Sequence, residues 1–405
     1  MGASSRGTRY YPSGHVRVQD NTIGTNVPVV NTLVKARRWF KVSTTYTNTS
    51  AYFRIGTGFR KKATVLVKFK NQHATVRGIN GKLKVWQYIW PVKYDAGTFS
   101  RTGMQNLNIT FNRSTDPHSN TSRYWAAATA INAVHQARLQ NQQLGLPQPL
   151  SNLNIWLSSK ITKGGSAPML RRIASSSVVY NGIQAMLGDW GSAIMEVVKQ
   201  AAPDVTYRYG RTTTQTRNYD EVSSTMLHEM AHVTHYGRAG NGFWTSYIGH
   251  ILSKGGYGQR TDGTVGYAAV GEAWANFLES NQVIRYYNGF GTNQTAQRII
   301  DNNQRDLEHN IPDNTISISR LATNAFGNDI GSRGWIPFGM LHDMTDVGET
   351  VPGVVDGVDG YTIPQIFQGF TATATNIPTL TNNILTSNGN HQAVQVNTLR
   401  QSYGW

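Results

Sequence analysis

His228-Glu229-Met230-Ala231-His232 is the stretch that most narrows what this 405-residue chain can fold into. Two histidines four residues apart can both reach one ion from a helix, where about 3.6 residues per turn put them on the same face. Glu229, next to the first histidine, can then hold a water on that ion. The flanking residues predict such a helix: Asp220 suits an N-cap, neither Pro nor Gly interrupts the run, and Gly237 marks a C-terminal stop. At about 100° per residue, Val222, Met226, Met230 and Val233 fall on one side. Ser224, His228, Ala231, His232 and His235 fall on the other. One face is expected to be core and the opposite face chemistry.

The chain has no cysteine, so thiolate ligands and thiol nucleophiles are excluded and His, Asp and Glu remain as metal ligands. A catalytic zinc site ordinarily has three protein ligands and keeps a fourth position for water. The expected third ligand is Glu272, in Val270-Gly271-Glu272-Ala273-Trp274-Ala275-Asn276. On a helix Val270, Ala273, Trp274, Phe277 and Leu278 form a buried face, and Glu272 lies opposite among Ala268, Ala269 and Ala275. Small side chains there would let the two helices approach until a carboxylate reaches the ion. Asn276, one turn on, could orient a ligand histidine, and Glu279 on the same face is the alternative ligand. His235 sits about 10 Å along the axis from His228, too far to join the set from a straight helix. Its expected place is behind the ligands or against a substrate, with a histidine favourable to the helix dipole as the alternative.

The two histidines with Glu229, followed by Glu272 and Asn276, resemble the gluzincin, thermolysin-like branch of the zincin metallopeptidases. The metzincin pattern is excluded, since it wants Gly and His where this chain has His235 and Arg238. Asn276 departs from the resemblance, which has Asp there. The resemblance implies Zn2+, a small twisted sheet over the active-site helix, peptide-bond hydrolysis of a protein or peptide substrate, and Glu229 as general base. The oxyanion then needs a donor, for which His342 and Tyr267 are the candidates. Two alternatives stay open: a polyanion- or surface-binding protein on a catalytically inert zincin scaffold, and a metal hydrolase acting on another bond.

The net charge of +16 is unevenly spread. Residues 1 to 100 carry 17 Lys and Arg against only Asp20 and Asp95, a balance of +15, which leaves +1 for the rest. That asymmetry and the length predict a multidomain chain: a basic all-β sandwich over 1–97, then an α+β, mainly helical zincin-like domain over 98–405. Expected strands are His15 to Gln19, Leu33 to Trp39, Lys41 to Tyr46, Ala51 to Ile55, Ala63 to Lys70, Ala74 to Arg77 and Leu83 to Ile89, with Asn80-Gly81 as a turn. Their order resembles the carboxypeptidase regulatory-like, prealbumin-type sandwich, with Ala51 where that family has Gly. Pro91, Gly97 and Gly103, with the change in charge balance, place the domain boundary within Trp90 to Gly103, near residue 98.

Beyond it, Ser122 to Gln143 and the region of Tyr180 to Ala201 read as helices, Asn152 to Ser158 and Val205 to Tyr209 as strands, and Thr371 to Asn383 as loop. The basic front could meet an anionic surface or polyanion, while no nucleic-acid motif occurs. No transmembrane run is present, Arg6 fails a myristoylation pattern, and a composition rich in Asn, Thr, Gly and Tyr suggests a secreted, cell-surface or periplasmic protein whose export signal is not in this chain.

Overall fold

The computed structural model describes residues 8–79, 89–159, 165–173, 202–310, 334–346 and 353–405. The expected strand at 83–89, the turn at 80–81 and the helices at 180–201 fall largely or wholly outside them. Sheets occupy the N-terminal region and helices the C-terminal region. Contacts divide the chain into two compact units: residues 1–135, 151–166 and 205–226, and residues 136–150, 167–204 and 227–405.

Among the described residues the first unit holds three four-stranded sheets. In one, β1 (Ser13–Asp20) pairs antiparallel with β2 (Thr25–Pro28) and β5 (Tyr52–Arg54), and parallel with β9 (Leu107–Phe111). Val16 and Val18 alternate inward, fully buried, between half-exposed Arg17 and Gln19. Gly14 is required at the β9 crossing, where a Cβ would lie 2.1 Å from the Leu107 carbonyl oxygen. Ala51, just ahead of β5, takes φ 68°, the left-handed conformation that favours glycine.

A second sheet runs β4 (Lys41–Tyr46), β3 (Leu33–Arg38), β6 (Lys62–Lys68), β8 (Lys93–Ser100), antiparallel throughout. The third runs β11 (Gly165–Ser166), β12 (Val205–Arg208), β10 (Leu153–Ser158), β7 (Ala74–Ile79), with β10 parallel to both its neighbours. Every residue of β10 is buried, as a strand between parallel neighbours requires.

Two expectations need correction here. The boundary at 97/98 falls inside β8, whose Lys93 to Ser100 pairs along β6: Pro91 and Gly103 flank this strand, and Gly97 lies within it, opposite Val65 at a register shift. And β7, read as part of a front sandwich, joins the sheet built with Leu153–Ser158 and Val205–Arg208. Local alternation identifies a strand and leaves its partners undetermined.

Asp20, at the end of β1, is fully buried and accepts hydrogen bonds from the Thr22 and Ile23 amides at 3.0 and 3.3 Å. Burial raises its carboxyl to about 6 against those two bonds, with the Asp220 charge adding to the rise. A carboxyl raised in the fold stabilises it below its unfolded value and loses that contribution as pH climbs through the folded value. The Asn variant keeps the acceptor and never ionises. Between pH 4 and 7 Asp20→Asn is therefore expected to gain about 2 kcal/mol on the wild type, read as a diverging pair of melting curves.

Helix α1 (Asn120–Leu144) belongs to both units, as does α2 (Tyr219–Lys254). In the first unit α1 is fixed by Trp125, buried, whose indole N–H donates to the Gln19 carbonyl at 2.8 Å. The second unit adds α3 (Val265–Asn288), α4 (Gln294–Glu308), α5 (Phe338–Asp343), α6 (Ile363–Phe367), α7 (Ile377–Ser387) and α8 (Ala393–Ser402). Helix α3 packs on α4, α5 and α7 and is buried almost continuously from Val265 to Val283. The segment 371–383, expected as loop, instead leads into α7. Asn376 caps it, its side-chain oxygen accepting from the Thr379 amide, and Pro378 occupies the first turn, where a missing N–H costs nothing. No helix among the described residues is long and apolar enough to cross a membrane.

Candidate metal centre

Helix α2 begins one residue before Asp220, at Tyr219, with the Glu221 carboxylate accepting from the Asn218 amide at 2.8 Å. Gly237 does not end it. The break comes at Gly240, with φ 75° and ψ −173°, where helical geometry is interrupted and then resumes to Lys254. Met226, Met230 and Val233 on one side are buried, and on the other Ala231, His232 and His235 are buried while Ser224 and His228 are half-buried. The face expected to carry the chemistry is thus largely enclosed.

Helix α3 lies against this segment, and its Trp274 indole donates to the Ala231 carbonyl at 3.1 Å. Ala268, Ala269 and Ala275 are fully buried. A buried amide chain fixes the helices further: Gln282 donates to Asn141, which donates to Thr234 and to the Pro147 carbonyl. Apolar contact sets how near helices come, whereas such polar pairs fix how they are turned.

The consequence is convergence of His228, His232 and Glu272, whose nearest ligand atoms all lie within 4.8 Å of one another. His228 Nε2 is 3.3 Å from Glu272 Oε2, and His232 Nε2 is 3.4 Å from Glu272 Oε1. Ligand atoms held tetrahedrally at about 2.0–2.1 Å from zinc stand about 3.4 Å apart, so these spacings fit an ion. Charge fits as well. Burial pushes the Glu272 carboxyl up, but the charges and hydrogen bonds of His232 and His228 hold it well below the usual carboxylate range. For His228 burial acts downward, and bonds and charge from Glu272 and Glu279 overcome it, raising the imidazole to about 10. His232 is lowered by burial. Glu229 Oε2 is buried without a hydrogen-bond partner, a condition that a water held at the cluster would relieve.

Glu229 is buried beside the cluster, and burial, with Glu272 and Glu279 adding to it and His228 opposing, pushes its carboxyl up to about 8. Glu279, the alternative ligand, faces the rear of the site: its Oε2 is 3.0 Å from His228 Nδ1. It holds the ring with Nε2 toward Glu272, the orienting part expected of Asn276. The Asn276 amide donates to the Glu272 carbonyl in its own helix at 2.8 Å. A side chain one turn on reaches back to its own backbone, whereas two turns and a longer carboxylate reach the ring. Glu279→Ala is expected to weaken zinc affinity about 10–100-fold while leaving one ion per chain at saturation, measured by competition with a chromogenic chelator.

Tyr247 was not foreseen. Its hydroxyl donates to Glu272 Oε1, its ring centroid is 5.8 Å from that of His232, and burial with the Glu272 charge lifts its phenol well above the ordinary value. Gly271 leaves room for this ring, since a Cβ there would sit 3.3 Å from it. The break at Gly240 separates Tyr247 from the histidines' helical segment, so no spacing in the sequence announces the contact.

The remaining candidates lie elsewhere. His235 is fully buried among the rings of Phe243, Trp244 and Phe370, with neither ring nitrogen hydrogen-bonded. Burial lowers it to about 3, so it stays neutral, and it neither backs a ligand by hydrogen bond nor meets solvent. Tyr267, near the start of α3, packs its ring on Phe243 at 5.2 Å. His342 on α5 joins a second group that could hold a metal: its Nε2 is 3.0 Å from Glu308 Oε1 and 3.7 Å from Asp346 Oδ2. Neither Tyr267 nor His342 has a hydrogen bond or ion pair with the first cluster.

Compared with known protein families, with curated proteins and with solved structures, the chain matches none of them.

Proposed function

We propose that this protein is a zinc-dependent metallopeptidase whose ligands are His228, His232 and Glu272 and whose general base is Glu229. The observation that carries the proposal is the meeting of three ligand atoms with a buried, unpartnered carboxylate beside them. When bound, an ion held by these two imidazoles and the carboxylate would supply Lewis acidity for a substrate carbonyl and lower the pKa of water. Glu229 is placed to accept a proton from the attacking water and pass it to the leaving amine. Its dry surroundings raise the carboxyl above the ordinary carboxylate range, which makes its ionised form a stronger proton acceptor. Glu279 keeps His228 oriented, and Tyr247 fixes the Glu272 carboxylate by its hydroxyl.

A zincin-like catalytic unit and sandwich-like packing of the basic front sheets belong to the same proposal, as does export. The alternative of a surface-binding protein on an inert scaffold draws on the basic sheet described below. An intact Glu229 beside three convergent ligands favours catalysis, because a scaffold has no use for a buried base. Cleavage of an unfolded protein such as reduced casein, abolished by a chelator and restored by Zn2+, tests the proposal. Cleavage indifferent to the chelator overturns it.

A further inference from the structure

The hairpin joining β3 to β4 has a two-residue tip, Trp39-Phe40, closed by the Arg38 and Lys41 pair. Trp39 is 86% exposed and Phe40 102% exposed, so both rings stand largely in water. Trp39 also takes φ 48°, in the left-handed region where a two-residue hairpin ordinarily places Gly, Asn or Asp. A bulky residue kept in that conformation, pointing into water, is disfavoured twice over in the free protein. Such local strain is characteristic of binding elements.

The surroundings define what would meet it. Register places Arg37 opposite Thr64 and Lys62 opposite Ser100, and the Arg101 amide bonds to the Lys61 carbonyl, so all these groups share the sheet end that carries the tip. Arg37, Lys41, Lys61, Lys62 and Arg101 are exposed there. Of the two acids in residues 1 to 100, Asp20 is buried in another sheet and Asp95 lies opposite Leu66, away from this end. The positive field continues along the sheet, where Lys35, Lys70, Lys93 and Arg37 act together on Lys68.

We infer that this hairpin docks the protein on an anionic lipid surface, with Trp39 and Phe40 entering the headgroup region and the surrounding Arg and Lys side chains meeting lipid phosphates and carboxylates. Aromatic residues favour that region, and each cation near an anionic leaflet adds to the attraction. A convex two-ring tip suits insertion. A stacking platform for nucleic-acid bases suits it less, because the Arg38 guanidinium already lies 5.2 Å over the Trp39 ring.

The test uses the full chain in sedimentation with phosphatidylcholine vesicles, with and without phosphatidylserine. Expected is binding to the mixed vesicles alone, weakened by salt, and at least about tenfold weaker in the W39S/F40S and K61E/K62E variants. Trp39→Gly provides a control on folding: relief of the left-handed conformation should leave melting no lower than wild type while vesicle binding falls. Absence of binding to the mixed vesicles, or equal binding by W39S/F40S, overturns the inference. So does capture of a single-stranded oligonucleotide or heparin through Trp39 and Phe40 with the vesicles left unbound.

Discussion

Glu229→Gln protein is expected to retain its zinc and to lose cleavage of an unfolded substrate by about 10²–10⁴-fold in kcat/KM, the range a positioned proton acceptor contributes. The substitution keeps shape and removes only the ability to take a proton. Because Glu229 is outside the ligand set and its Oε2 has no hydrogen-bond partner, the change breaks no contact that holds His228, His232 or Glu272. The amide is also cheaper than a carboxylate to bury, so the variant should melt no lower than the wild type. Zinc content and kcat/KM measured on the same preparation decide the matter. Full activity in the variant would remove Glu229 from the chemistry; loss of zinc would show that it acts as a ligand.

Glu272→Ala is expected to have the second large effect, loss of stoichiometric zinc. Two imidazoles would remain, and the opposing carboxylate that brings Nε2 of both to 3.3 and 3.4 Å would be gone. The variant also leaves the Tyr247 hydroxyl buried without its acceptor, which costs about 1–3 kcal/mol. Glu272→Gln separates the two consequences, since it restores an acceptor for Tyr247 and still weakens the metal. Elemental analysis should find zinc well below one per chain in both, with the larger fall in melting temperature in the Ala variant. Zinc retained at one per chain in Glu272→Ala would refute the assignment of the third ligand.

The convergence of His228, His232 and Glu272 was legible in the sequence for a specific reason. Helical spacing fixes where His228 and His232 point, and glutamate is rare enough, at seven in the chain, that one among three alanines is conspicuous. The orienting group was less legible. Asn276 and Glu279 share a face with Glu272, and side-chain length and angle of approach, which spacing does not encode, turned Asn276 to its own helix and Glu279 to His228. His235 shows the converse. It shares the histidines' face, yet an aromatic cluster from Phe243, Trp244 and Phe370 closes over it.

Sheet membership followed the same rule. Alternation located β1, β3, β4 and β6 within a residue or two. It could not show that Ala74–Ile79 would lie beside Leu153–Ser158, because pairing of strands distant in the chain depends on the whole arrangement of cores.

By itself, then, the sequence determined the helix bearing the two histidines, the glutamate that meets them, the buried carboxylate between them and the basic character of the front sheets. These follow from periodicities and charges that act over a few residues. Tertiary structure alone decided that Tyr247 and Glu279 would hold the ligands, that the helix would break at Gly240 and not Gly237, and which strands would be neighbours. Those outcomes depend on how far apart two backbones settle and at what angle, quantities set by the packing of residues scattered along the chain.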